Sequence, residues 1–193
     1  MRILKLKPHH IPQVITTFQQ ELKESFLTPF GTKFLSAFFN TSTRTDQIFT
    51  FCVVKGKTVT AFATGTNNIS TIPFSLLRHA PTVIFPLIKQ VFLSPGSIME
   101  YINWKTRTHI MDVPSRLLFF AVKKEYRRQG IGTILLDAVC TEFKRKKVKQ
   151  FLVGVRKHYA GARAFYKKTG GKQIKKIVLP ERTLIYYCYD LER

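Results

Sequence analysis

Apolar residues recur along this chain at two spacings, and the switches between them mark its elements. "ILKL" (Ile3–Leu6) alternates and predicts a short strand. Pro12 can open a helix on which Val14, Phe18, Leu22 and Phe26 share one face. Pro29 can open a second, with Phe30, Phe34 and Phe38 on one stripe and Leu35 and Phe39 beside it. "IFTFCVV" (Ile48–Val54), the turn Lys55-Gly56-Lys57 and "TVTAFATGT" (Thr58–Thr66) predict a β-hairpin. "RLLFFAV" (Arg116–Val122) is apolar throughout and predicts a buried strand. Ile134, Leu135, Ala138, Val139 and Phe143 then mark the inner face of a helix that ends in "KRKKVK". "QFLVGV" (Gln150–Val155) follows as a strand, and Ala160 to Thr169 as a helix stopped by Gly170-Gly171. Two last strands, "KQIKKIVL" and "TLIYYCYDL", join at Pro180-Glu181-Arg182.

Residues from about 69 to 105 break this rhythm. Ile84, Leu87, Ile88, Val91 and Phe92 keep helical spacing, but Pro86 falls among them and would kink the helix. The apolar run is too short for a membrane span and carries Lys89. The segment reads as a helical cap over one end of a sheet, a lid over a site, or a contact with a membrane surface.

The order β-α-α-β-β-(insert)-β-α-β-α-β-β, without repeat or linker, predicts one α/β domain over residues 1–193. An apolar fraction of 45% with 17 Phe supports a folded core rather than disorder. Cys52, Cys140 and Cys188 lie far apart without metal-ligand or redox spacing, so they are expected to be small buried residues in a reducing compartment. Met1 to Phe18 holds no continuous apolar core of signal-peptide type, and a cytoplasmic protein is expected. Net charge is +21; 17 of the 32 Lys and Arg fall between Lys123 and Lys176, against three acids, Glu125, Asp137 and Glu142. Such a field favours anionic ligands, anionic membrane surfaces or nucleic acid, and disfavours polycations.

"EYRRQGIGT" (Glu125–Thr133) joins the apolar strand to the helix after it. Helix N-termini carry unpaired N–H groups and positive dipole, so they receive phosphate oxygens. Gly130 and Gly132 let main chain approach a pyrophosphate closely, and Arg127 and Arg128 add charge at the mouth. The dinucleotide fingerprint is excluded, for its third glycine and downstream ribose-binding acid are missing. An NTP loop ending in Lys-[Ser/Thr] is missing as well.

The stretch "LLFFAVKKEYRRQGIGTILLDAV", with [Gln/Arg]-x-x-Gly-x-[Gly/Ala] filled by Arg127-Arg128-Gln129-Gly130-Ile131-Gly132, resembles the GNAT family of N-acetyltransferases. "ARAFYKKTGG" resembles that family's segment A-x-x-[Phe/Leu]-Tyr-x-x-x-Gly-Phe, and the element order matches over nearly the whole chain. The resemblance implies a mixed, mostly antiparallel sheet of about seven strands flanked by helices, with the helical insert between the third and fourth strands. It implies acetyl-CoA as donor and no metal. Arg128 to Thr133 would hold its pyrophosphate through backbone N–H groups. Phe120, Ala121 and Val122 would line the pantetheine arm in a slot where the strands at 116–122 and 150–155 splay apart. An N–H near Val122 would polarise the thioester carbonyl. Tyr166 occupies the family's tyrosine, a candidate acid for the departing thiolate; the same residue also reads as a packed helix tyrosine with a wet hydroxyl. Tyr159 stands where the family often has a cofactor-contacting Asn, and Gly171 replaces the usual Phe.

The family's carboxylate base is missing by position: Ser115 and Arg116 stand near the start of that strand, and Gly154 on the next. Glu100 and Asp112, which should overhang the acceptor side, rank first as substitutes, with His109 and His158 behind them. The expected activity is acetyl transfer to a primary amine on a small anionic acceptor, such as a nucleotide-linked amino sugar. A degenerate domain that binds CoA, RNA or a membrane surface without turnover is the rival, and a protein N-terminal amine is another acceptor. The run Lys144–Lys149 reads as a solvated helix end, or as a basic face for anions. Aromatics do not alternate with it, as a stacking platform for nucleic acid would require.

Overall fold

Seven strands pair into one sheet. The computed structural model describes residues 1–25, 27–80, 113–179 and 182–192. The strands are β1 (Arg2–Lys5), β2 (Ile48–Lys55), β3 (Thr58–Thr66), β4 (Arg116–Val122), β5 (Gln150–Arg156), β6 (Lys172–Val178) and β7 (Thr183–Asp190). Their spatial order is β1-β2-β3-β4-β5-β7-β6, antiparallel at every joint except β4 against β5. The mixed, mostly antiparallel sheet expected from the sequence is therefore present.

Two helix layers cover it. Helix α1 (Ile11–Glu21) and α2 (Gly31–Ser42) pack one face of β1 to β4. Val14, Phe18, Leu35 and Phe39 are fully buried there against Phe62 and Phe119. The Phe18 ring meets Phe119 edge-on at 5.0 Å, and Phe39 meets Phe62 at 5.7 Å. Each such side chain contributes about 2–3 kcal/mol by leaving water. On the opposite face lie α4 (Ile131–Arg145) and α5 (Ala160–Lys168), preceded in the chain by α3 (Ile72–His79). Leu135, Val139 and Phe143 of α4 are buried against Phe49, Phe151 and Tyr187. Among the described residues no helix is long and apolar enough to cross a membrane.

The structure differs from the expected elements in two places. Helix α1 stops at Glu21, and Leu22 leaves helical geometry with its carbonyl taken by the Thr28 hydroxyl at 3.0 Å. Pro29 lies in a 3-10 turn (Thr28–Phe30), not in the second helix. Gly31, at φ 77° and ψ 178°, then redirects the chain into α2 through a conformation essentially closed to other residues. Of the insert expected at about 69–105, a 3-10 turn (Ile69–Thr71) and α3 are seen; the helix expected around Pro86 lies outside the described residues.

Candidate functional site

The parallel joint is the weak one. Strand β4 pairs with β5 only through Arg116 with Leu152 and Leu117 with Val153, although both strands run on. The other edge of β4 stays paired with β3 as far as Val122. Lys123 donates its N–H to the Thr60 carbonyl at 2.9 Å. Backbone direction alternates along a strand, so Ala121 and Phe119 also face β3. Phe120 and Val122 turn their N–H and C=O groups toward the gap. The Val122 carbonyl is taken there by Arg127 Nε at 3.0 Å. Among the described residues no strand pairs with these donors, and the gap lies between residues 116–122 and 150–155, where the family resemblance implies a slot.

Above the slot begins α4. Its N-cap, Gly130, is left-handed at φ 76° and carries no side chain to cap the helix. Arg128 is also left-handed, at φ 62°, a costly conformation for a residue with a Cβ. These two bends wind the chain tightly into the helix. The amides of Ile131, Gly132 and Thr133 then have no earlier carbonyl within it. Ile131 is 3% exposed and anchors this turn in the core, so it offers its amide alone. A Cβ on Gly132 would stand 3.2 Å from the Phe165 ring and 3.8 Å from that of Phe120. The loop thus has the free amides, bare backbone and positive dipole that suit a pyrophosphate.

The arginines divide their tasks differently from expectation. Arg127 is committed to the Glu21 carboxylate of α1 and to the Val122 carbonyl, so it braces the loop instead of standing free at its mouth. Glu21 also accepts the Lys124 amide at 3.1 Å. Arg128 remains exposed beside the helix start. Gln129 folds back on the Glu125 carbonyl at 3.2 Å. Ala121 faces the α1 and α2 layer, where it is buried, so only its neighbours Phe120 and Val122 border the slot on the α4 side. Tyr159 caps α5 and is 38% exposed; burial, then the charge and hydrogen bond of Glu24, hold its phenol above the ordinary tyrosine range.

Tyr166 sits on α5 with its ring 6.2 Å from Phe120 and 5.3 Å from Phe165. It is 5% exposed, and burial, with Tyr189 second, pushes its pKa far up. The phenol therefore keeps its proton throughout the physiological range. Its ring packs near Phe120, which borders the slot on the α4 side.

On the α1 side of the slot stands a cluster built from distant parts of the chain. Glu24, just past α1, accepts from Arg156 of β5 at 3.1 Å and faces His158 Nε2 at 3.2 Å. His158 was among the base candidates; Glu21 and Glu24 were not. No local pattern signals them, because their partners lie more than 100 residues away. Glu100, Asp112 and His109 lie outside the described residues. Arg116, in the place of the missing carboxylate, is buried at 8% exposure, and exposed Gly154 keeps the neighbouring stretch of β5 bare.

The run at the end of α4 is not uniformly solvated. Glu142, at 5% exposure, binds Arg145 at 2.8 and 2.9 Å and Lys5 at 3.2 Å. Lys146 folds inward between Glu142 at 3.8 Å and the Asp46 carbonyl at 2.7 Å. Lys144, Lys147 and Lys149 are left to the surface. Among the described residues no group of His, Cys, Asp and Glu is arranged to hold a metal.

Comparison with known proteins agrees with this geometry. The model of the Acetyltransferase (GNAT) family matches residues 15–171. No curated protein matches the chain. Among solved structures, a ribosomal-protein-alanine N-acetyltransferase from Brucella melitensis superposes with TM-score 0.67 at 11% identity, covering 98% of this chain and 99% of that one. An N-acetyltransferase from Staphylococcus aureus gives 0.66 at 14% identity, covering 98% of each. The PaiA N-acetyltransferase from Thermoplasma acidophilum in complex with coenzyme A gives 0.59 at 14%, covering 97% of this chain and 98% of that one. At these identities the likeness is one of fold.

Proposed function

This chain belongs to the GNAT family of acetyltransferases, and on that premise we propose that it moves acetyl from acetyl-CoA to a primary amine on a small anionic acceptor, such as a nucleotide-linked amino sugar. The observation that carries the reading is the unpaired edge of β4, aligned with the open N-terminus of α4. Acetyl-CoA supplies the activated acetyl group. The amides from Arg128 to Thr133 hold its pyrophosphate, with the exposed Arg128 side chain adding charge. The amides of Phe120 and Val122 bind pantetheine and polarise the thioester carbonyl where it gains negative charge. Tyr166 gives its proton to the departing sulfur, a step its raised pKa makes dependent on a thiolate close by and shielded from water.

The amine must lose a proton as it attacks. Of the described residues, His158 held by Glu24 is best placed to take it, with Glu100 and Asp112 as the other candidates of our reading. Three free cysteines, Cys52, Cys140 and Cys188, suit the reducing cytoplasm in which we place this activity. Acetyl-CoA turnover across a panel of amines, read as free thiol, tests the proposal. Amine-dependent release supports it. CoA binding without release would favour the rival, a domain that binds without turnover, which the guanidinium in the place of the family's carboxylate would then explain.

A further inference from the structure

We infer that Arg116 is an anion receptor in the acceptor site, placed to bind a phosphate or carboxylate carried by the amine substrate. The inference rests on the acetyl-transfer reading above and assigns one residue to the acceptor it names.

Alternation fixes where Arg116 points. Leu117 and Val153 pack into the α4 side of the sheet, so Arg116, Leu152 and Gly154 face the α1 side. Leu152 pairs with Cys188 and Gly154 with Tyr186, and among the described residues these two of β7 are titratable groups close to the Arg116 charge. Arg116 is 8% exposed, and among the described residues its Nη1 donates only to the carbonyls of Val113 and Ser115, the latter at 3.0 Å. Carbonyl dipoles hold a guanidinium in place without cancelling its charge. A buried cation normally requires an anion, and among the described residues no carboxylate forms an ion pair with this one; Asp190 shares its face of the sheet but lies beyond Cys188 on β7. Glu21, Glu24 and Glu142 are each engaged with other cations.

The same face of β5 carries a stretch of bare main chain. Gly154 is exposed beside Arg116, and a Cβ there would come 3.1 Å from the Tyr186 ring. A side chain at 154 would crowd both Tyr186 and the space above the strand. Arg116 lies four residues before Phe120, about 13 Å along β4 at roughly 3.3 Å per residue. An acceptor with its amine near the Phe120 amide would therefore have to carry its anionic group at its far end to meet the Arg116 side chain. Guanidinium is the cation best suited to such oxyanions, through paired parallel hydrogen bonds.

Matched amines test this: glucosamine with its 6-phosphate, and amino acids with their amides, each assayed by thiol release with acetyl-CoA. The phosphate pair and the carboxylate pairs separate the two anions. The expected result is a kcat/KM at least tenfold higher for the anionic member of one pair. Arg116→Gln should then reduce that ratio about tenfold or more, and Arg116→Lys, which keeps charge without the planar fork, should reduce it less. Melting curves identify any variant that fails to fold, in which case the lysine variant decides. Equal rates for the members of every pair in the parent protein, or a preference that survives in the folded variants, would overturn the assignment. If no amine releases thiol although CoA binds, the acetyl-transfer reading fails instead. The receptor is then judged by titrating inorganic phosphate against the Arg116 Nε–Hε resonance: a saturable shift upholds it and a fixed resonance rejects it.

Discussion

Phe165 lies against Gly132 so closely that a Cβ on the glycine would stand 3.2 Å from the ring. The contact locks the start of α4 onto α5 and keeps side-chain atoms out of the amide cradle. Gly132→Ala should change stability little, since a gain in helix propensity of up to about 1 kcal/mol offsets the displaced ring. CoA affinity should fall severalfold. Gly132→Glu, which adds negative charge where the pyrophosphate belongs, should lower it at least a hundredfold. Calorimetry giving the parent affinity for the glutamate variant would remove the phosphate cradle from this loop.

Tyr166→Phe tests the proton donor. Its hydroxyl has no hydrogen-bond partner among the described side chains, so the variant should melt within about 1 kcal/mol of the parent. Turnover should drop about a hundredfold, within the usual range for a lost acid, while the KM for acetyl-CoA changes less. Undiminished kcat would return the residue to the status of a packed aromatic.

Glu24→Gln and His158→Gln address the base. Each should depress kcat at saturating acetyl-CoA, and the double variant should be little worse than either single, because the two act as one pair. If both single variants keep full turnover, the proton goes elsewhere, and Glu100→Gln and Asp112→Asn become the deciding variants.

Glu142 links acidity to stability. Arg145 first, then Lys5, hold its carboxylate at about 2, against 4.5 for the ordinary group. A depressed folded-state value means the stabilisation is complete above about 4.5 and is lost as pH falls toward 2. The contribution is of the order of 3 kcal/mol. Denaturant melts of the parent between pH 5 and pH 2 should show this loss. Glu142→Gln should be less stable at pH 7 and should show a flatter acid limb. An identical slope in both proteins would remove Glu142 as its source.

Much of this architecture is legible from residue order because its determinants are local. The switch from "RLLFFAV" to the spacing of Leu135, Val139 and Phe143 is the step from β4 to α4, and all three are buried as that spacing requires. The loop between them is equally local, since its shape needs only glycines and a helix start. What escapes such reading is long-range. Arg127 reads as a free charge until Glu21 is folded over it, and Lys146 reads as part of a solvated run until Asp46 and Glu142 enclose it. Glu24 carries no signal at all, because its meaning comes from β5. The early end of α1 has the same origin: Leu22 continues the apolar stripe, but the turn that follows takes its carbonyl.

Where β4 and β5 part after Leu117 and Val153, the fabric of the sheet has a tear that runs to its rim. Whatever lies in it serves as an eighth, borrowed thread. Amides of Phe120 and Val122 that trade their hydrogens quickly with heavy water in the bare protein should become slow once acetyl-CoA is added, and the whole sheet should melt later. On that outcome, loading the donor and finishing the sheet would be the same event.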